Sequence, residues 1–157
     1  MTVYLDSSAI LKLIVPEQET DELRGYLRRV GSPVSSELAD VEVRRAARRR
    51  RGHDPRRLES VLDDVAFVEI RPEILRLVGR LEPAELRTLD AIHLATALEL
   101  EGELEALVTY DRQMLAGARV LGLPVASPGM APEHRLSENA LPEPVDQPGG
   151  PAQGEGA

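Results

Sequence analysis

Five short apolar runs alternate with segments whose apolar residues return every three or four positions, and this alternation constrains the chain more than any other feature. The runs are TVYL (2–5), the minimal VS (34–35), AFVEI (66–70), ALVTY (106–110) and PVAS (124–127). Short runs bounded by turn residues read as buried strands. The segments between them read as helices. One spans 7–15 and is stopped by Pro16. A second spans 18–30, with Leu23, Tyr26, Leu27 and Val30 at i, i+3, i+4, i+7, and Gly31-Ser32-Pro33 breaks it. A third runs from Ser36 through an arginine block. Asp54-Pro55, a cap followed by proline at the first helical position, opens a fourth that buries Leu58, Val61, Leu62 and Val65. Three more cover 72–81, 89–100 and 112–121, the last closed by Gly122. Strands alternating with one or two helices predict an α/β domain with a central parallel sheet flanked by helices.

The pattern ends at Ser127. The last 30 residues hold six Pro and five Gly with almost no large apolar side chains. Such a segment cannot bury enough surface to offset its ordering entropy, so the expected organisation is one ordered domain over 1–127 and a disordered acidic tail over 128–157. The absence of Cys excludes disulfides, zinc thiolate sites and cysteine nucleophiles, and His53, His93 and His134 are scattered. No apolar stretch reaches membrane length and the N-terminus shows no export signal, so a cytoplasmic protein with no membrane association is expected. The net charge is −8, yet eight arginines crowd between Arg44 and Arg57. A local basic patch supplies an electrostatic footprint for nucleic acid even on an acidic protein. A solvated helix face or a partner-binding surface reads the same way.

Four acids stand where strands give way to helices: Asp6, Glu42, Asp90 and Asp111. In an open parallel sheet, ligands bind beyond the carboxyl ends of the strands, so residues far apart in sequence converge there. Taken singly, Asp6, Asp90 and Asp111 read as helix N-caps, and Glu42 reads as a solvated partner for Arg44 or Arg45. Taken together, several carboxylates in one crevice repel each other unless something positive joins them. Oxygen-only ligands favour a hard cation such as Mg²⁺ or Mn²⁺. Ser8 and Thr109 lie beside the first and last acids, placed either to orient a carboxylate or to serve as cap and strand filler. His93 shares a helix face with Asp90 and reads primarily as a packed core histidine.

VYLDSSAILKL, SSELADVEVRRA, LRTLDAIHLATAL and LVTYDRQMLAGARVLGLPV resemble, in that order, the signature segments of PIN-domain ribonucleases, most closely the VapC toxins of VapBC toxin–antitoxin pairs. The resemblance covers 1–127. It implies a three-layer PIN-like fold and a metal-dependent endoribonuclease whose products carry a 5′-phosphate. Asp6, Glu42, Asp90 and Asp111 would be its catalytic acids, supported by Ser8 and Thr109. Asp6, Asp90 and Asp111 would hold Mg²⁺ or Mn²⁺, and Glu42 would either serve a second metal or orient the attacking water. The resemblance also implies a homodimer and a cognate antitoxin. Arg44, Arg48, Arg49 and Arg51 are the candidate RNA contacts. The Pro-rich tail and the density of arginine depart from the family pattern without touching the acids. Two other acidic-pocket folds fit poorly. A receiver domain needs paired acids and a late lysine, whereas the only lysine here is Lys12. A haloacid-dehalogenase-type phosphatase needs Asp-x-Asp, whereas this chain has Asp6-Ser7-Ser8. The non-enzymatic alternative is a PIN scaffold that keeps the acids but only binds RNA or a partner.

Overall fold

The structure is a computed structural model and describes residues 1–131. The five strands are β1 (Thr2–Leu5), β2 (Ser32–Ser36), β3 (Ala66–Val68), β4 (Leu104–Val108) and β5 (Val125–Ala126). Helices α1 (Ser7–Ile14) and α2 (Thr20–Val30) join β1 to β2, and α3 (Glu37–Arg49) and α4 (Pro55–Asp63) join β2 to β3. Helices α5 (Pro72–Val78) and α6 (Thr88–Leu98) precede β4, and α7 (Arg112–Val120) precedes β5. The strands form one fully parallel sheet in the order β3-β2-β1-β4-β5. The first connections step outward from β1 on one side, and the α5–α6 crossover returns the chain to β1's other side. The topological switch point therefore lies between β1 and β4, where an open sheet leaves a crevice at its carboxyl edge.

Alternating strand residues feed two cores. Val3, Leu5 and Val108 pack with Ala9, Ile10, Leu23, Val43 and Leu58 of the α1–α4 layer. Tyr4, Val34, Leu104 and Leu107 pack with Leu94, Ala97, Met114 and Ala118 of the opposite layer. The register between β1 and β4 shifts by one residue at Thr2/Val3, which pairs Thr2 with Leu104 but Val3 with Ala106. That extra residue is why Leu104 and Leu107, three apart, face the same side of a period-2 strand. Helix α7 approaches α6 closely at Gly117, where an added Cβ would lie 2.8 Å from Leu86 and 3.0 Å from Leu94.

The expected alternation is present with shifted boundaries. Strand β2 begins at Ser32, through the Gly31-Ser32-Pro33 turn signal. Pro33 is tolerated because β3 pairs only from Val34 onward, so at Pro33 one side of β2 is still an edge. β4 starts and ends two residues earlier than the ALVTY run, which frees Thr109 and Tyr110 for the loop above the sheet. The tail expected from Pro128 falls outside the described residues from 132 onward. Of 128–131, Pro128 is tied to the domain by its carbonyl, which accepts from the Tyr110 hydroxyl at 2.7 Å. No helix among the described residues is long and apolar enough to cross a membrane.

Candidate active site

A pocket of about 320 Å³ opens at the carboxyl edge beside the switch point. Asp6, Ser7, Ser8, Glu42, Arg87, Asp90, His93 and Asp111 line it. All four acids picked out in the sequence thus reach one cavity.

Asp6 leaves β1 and enters α1, and it is only 3% exposed. Its Oδ1 caps the helix by accepting from Ala9 N–H at 2.9 Å and also accepts from the Ser8 hydroxyl at 2.6 Å. Its Oδ2 accepts from the Thr109 hydroxyl at 2.6 Å. Burial lifts the Asp6 carboxyl above its ordinary value, and the hydrogen bonds from Ser8, Thr109 and Ala9 oppose that rise. Ser8 and Thr109 each work in two directions. Ser8 Oγ accepts from Tyr110 N–H at 2.9 Å, and Thr109 Oγ1 accepts from Asp111 N–H at 3.0 Å. The two hydroxyls therefore lock the end of β4 to the start of α1, with the Asp6 carboxylate at the joint.

Asp111 divides its oxygens. Oδ1 caps α7 by accepting from Gln113 and Met114 N–H, while Oδ2 accepts from Arg87 Nη2 at 2.8 Å. Burial alone would raise this carboxyl, but Arg87 and the cap N–H groups hold it below its ordinary value. Asp90 is not a cap. Helix α6 begins at Thr88 with Arg87 at its N-cap position, so Asp90 sits in the first turn. There the exposed N–H groups favour negative charge, and Asp90 Oδ2 accepts from Arg87 Nε at 2.6 Å. Capping and pocket lining are thus compatible in Asp6 and Asp111, and capping does not account for Asp90.

Glu42 projects from α3 across the pocket. Its Oε2 accepts from the Ser7 hydroxyl and from His93 Nε2, the latter at 2.8 Å. Burial pushes its carboxyl up, but the His93 and Ser7 contacts and the Arg87 charge outweigh that and hold it below the ordinary value. On the far side of the ring, His93 Nδ1 lies 2.8 Å from the Tyr4 hydroxyl, which also accepts from Ser36 N–H at 3.1 Å. Burial lifts the Tyr4 phenol well above its ordinary value. The Glu42 carboxylate can only accept, which puts a ring proton on Nε2, facing it. His93 is both a buried histidine, 2% exposed, and part of the pocket wall.

The sequence did not reveal Ser7, His93's partnership with Glu42, or Arg87. The positive group that the crowded acids require is Arg87, which bridges Asp90 and Asp111. Among the described residues no three His, Asp or Glu side chains stand in a geometry that would hold a metal ion as placed. The donor chemistry nevertheless suits a hard cation, with four carboxylates, flanking hydroxyls and no thiol. The arginine block is divided. Arg44 is held by Asp40 and Glu59, Arg50 pairs with Glu17, and Arg57 donates to the Leu13 carbonyl. Arg45, Arg48, Arg49, Arg51 and Arg56 are exposed, and no ion pair engages them among the described residues.

A family model described as "PIN domain" matches residues 3–120. Ribonuclease VapC46 of Mycobacterium tuberculosis is 47% identical over 127 residues, covering 80% of this chain and 97% of the relative. Ribonuclease VapC47 of the same species is 39% identical over 132 residues, covering 81% and 97%. Among solved structures, a toxin–antitoxin complex from Klebsiella pneumoniae superposes with a TM-score of 0.62 at 23% identity, covering 80% of this chain and 97% of that one. VapBC2 from Rickettsia felis, bound to a promoter DNA fragment, gives 0.61 at 14% identity, covering 81% and 98%.

Proposed function

Because the chain belongs to the PIN-domain family, and within it to the VapC ribonucleases, we propose that it is a divalent-metal-dependent endoribonuclease. It acts as the toxin of a type II toxin–antitoxin pair. The observation that carries this reading is the convergence of Asp6, Glu42, Asp90 and Asp111 on one pocket at the switch point of the sheet. Asp6, Asp90 and Asp111 would hold Mg²⁺ or Mn²⁺, which supplies Lewis-acid stabilisation of the phosphoryl charge and a more acidic water.

The chain's own residues do the positioning. Ser8 and Thr109 hold Asp6 in one orientation, each through a 2.6 Å donation. Thr109 also fixes the backbone of Asp111, which sets the distance between the two aspartates. Glu42, kept ionised by Ser7 and His93, faces the pocket as an acceptor for a water proton. Tyr4 holds the His93 ring so that Nε2–H points at Glu42. Exposed Arg48, Arg49 and Arg51 at the end of α3 lead away from the acids and supply contacts for an RNA backbone. Arg44 is tied to Asp40 and Glu59 and supplies little.

A cognate antitoxin is supported by the toxin–antitoxin complexes among the structural neighbours. A homodimer is consistent with Leu75, Leu89 and Val120, large apolar side chains left exposed on the α5–α7 layer. The inert-scaffold alternative draws on the pairing of Asp90 and Asp111 with Arg87. Incubating the purified protein with a mixed RNA separates the readings. The nuclease reading expects cleavage with Mg²⁺ or Mn²⁺, none in EDTA, and 5′-phosphate ends that accept ligation without prior phosphorylation. Intact RNA under all conditions would leave only the scaffold.

A further inference from the structure

Asp90 and Asp111 each turn one oxygen to the same guanidinium. Arg87 Nε lies 2.6 Å from Asp90 Oδ2, and Nη2 lies 2.8 Å from Asp111 Oδ2. The planar fork of arginine presents two donors at a fixed spacing, which lets one side chain span both acids. The Asp111 oxygen involved is the one not used to cap α7. A ligand can take it without uncapping the helix.

Two of the other groups that satisfy the pocket acids are fixed in place by burial. Thr109 is fully buried, and the His93 side chain is 3% exposed. The Arg87 side chain is 55% exposed, so it can swing into water at far smaller cost than either of these. Asp90, with a side chain 12% exposed, and Asp111 would be left facing each other without a counter-charge when it does, unless another cation takes its place.

The geometry points to Arg87 as a built-in occupant of the cation position: a guanidinium closes the metal-free pocket, and a divalent ion must displace it before Asp90 and Asp111 can ligate. This inference rests on the reading that those two acids hold the metal. Guanidinium and metal compete because Arg87 holds Oδ2 of Asp111, the one oxygen that acid does not commit to its helix cap, and because two cations in one pocket repel. Apparent metal affinity is then reduced by the fraction of molecules in the open arrangement. Two partly exposed ion pairs bias that equilibrium by a modest factor, about tenfold.

The test is calorimetric titration of full-length protein with Mn²⁺ and with Mg²⁺, beside thermal melts in EDTA. Wild type, Arg87→Gln and Arg87→Lys are compared. Arg87→Gln is expected to bind metal about tenfold more tightly, with a lower melting temperature in EDTA and a larger metal-induced rise. Arg87→Lys keeps the charge but loses the two-donor fork, so its affinity should fall between the two. If wild type binds metal and Arg87→Gln binds equally or more weakly, Arg87 is no competitor and the inference fails. If Arg87→Lys matches wild type, charge alone acts and bridging is refuted. If no form binds metal, the metal-site reading itself falls, and this inference with it.

Discussion

Replacing Thr109 by Val keeps the shape of the side chain and removes one hydroxyl. That hydroxyl donates to Asp6 Oδ2 at 2.6 Å and accepts from Asp111 N–H at 3.0 Å, in a residue with no exposure. Asp6, only 3% exposed, cannot turn to water instead. A buried charge-assisted hydrogen bond contributes about 1.5–3 kcal/mol and a neutral one about 0.5–1.5 kcal/mol. The expected loss in EDTA at pH 8 is therefore roughly 3 kcal/mol, or about 10 °C in melting temperature for a domain of this size. The loss should depend on pH. Burial already raises the Asp6 carboxyl above its ordinary 3.8. A group raised in the folded state contributes stability that is present below its unfolded value and lost as pH rises through its folded value. Without the Thr109 donor the folded value rises further, so the loss extends to higher pH. The penalty should be larger at pH 8 than at pH 4, because a charged Asp6 loses more with the donor than a neutral one. Urea unfolding of wild type, Thr109→Val and Thr109→Ser at both pH values reads this directly. Thr109→Ser keeps the hydroxyl and should lose only about 1 kcal/mol for the missing methyl. A penalty below about 1 kcal/mol at pH 8 for Thr109→Val, or equal penalties for Val and Ser, would refute the account of how Asp6 is held.

Other consequences can be checked separately. His93→Phe strands the buried Tyr4 hydroxyl and frees Glu42, so it should cost about 2 kcal/mol in chemical denaturation, whereas Tyr4→Phe together with His93→Phe should cost less than the sum of the single changes. Changing Arg48, Arg49 and Arg51 to Ser should flatten the salt dependence of single-stranded RNA binding by roughly 2 in log K per log salt, measured by fluorescence anisotropy in EDTA, while Arg44→Ser should leave the slope unchanged. Arg87 helps hold Asp111 below its ordinary 3.8. That contribution is present above 3.8 and lost as pH falls through the folded value, so wild type should lose stability more steeply than Arg87→Gln in acid melts below about pH 4.

Asp6 and Asp111 were visible in the sequence because the strand-to-helix boundary is itself visible, whereas Asp90 follows α5 and a loop and Glu42 lies inside α3, so neither stands where a strand gives way to a helix. An apolar run followed by Asp and a helical period places that Asp at the carboxyl edge of a parallel sheet, whatever its further role. Choosing between cap and site needed coordinates, and Asp6 and Asp111 both cap while lining the pocket: each caps with Oδ1, while Oδ2 accepts from Thr109 in Asp6 and from Arg87 in Asp111. Arg87 was hidden because an exposed arginine three residues before an aspartate looks like a surface pair, and its second partner lies 24 residues away. His93 was placed correctly on the Asp90 face of α6, but Glu42 is 51 residues distant and only tertiary packing brings the two together. The arginine block looked uniform along the helix. Glu59 on α4, 15 residues from Arg44, is what distinguishes Arg44 from its exposed neighbours.

The central claim is that four carboxylates in one pocket cut RNA with a divalent metal. It is tested most directly by single-turnover cleavage of one RNA by wild type, Asp6→Asn and Asp90→Asn, in saturating Mg²⁺ and in EDTA, with thermal melts confirming that each variant is folded. Wild type should cleave in Mg²⁺ and not in EDTA, and cleavage should fall about a hundredfold or more in both variants. Folded variants that cleave at the wild-type rate, or a wild type that cleaves equally well in EDTA, would contradict it.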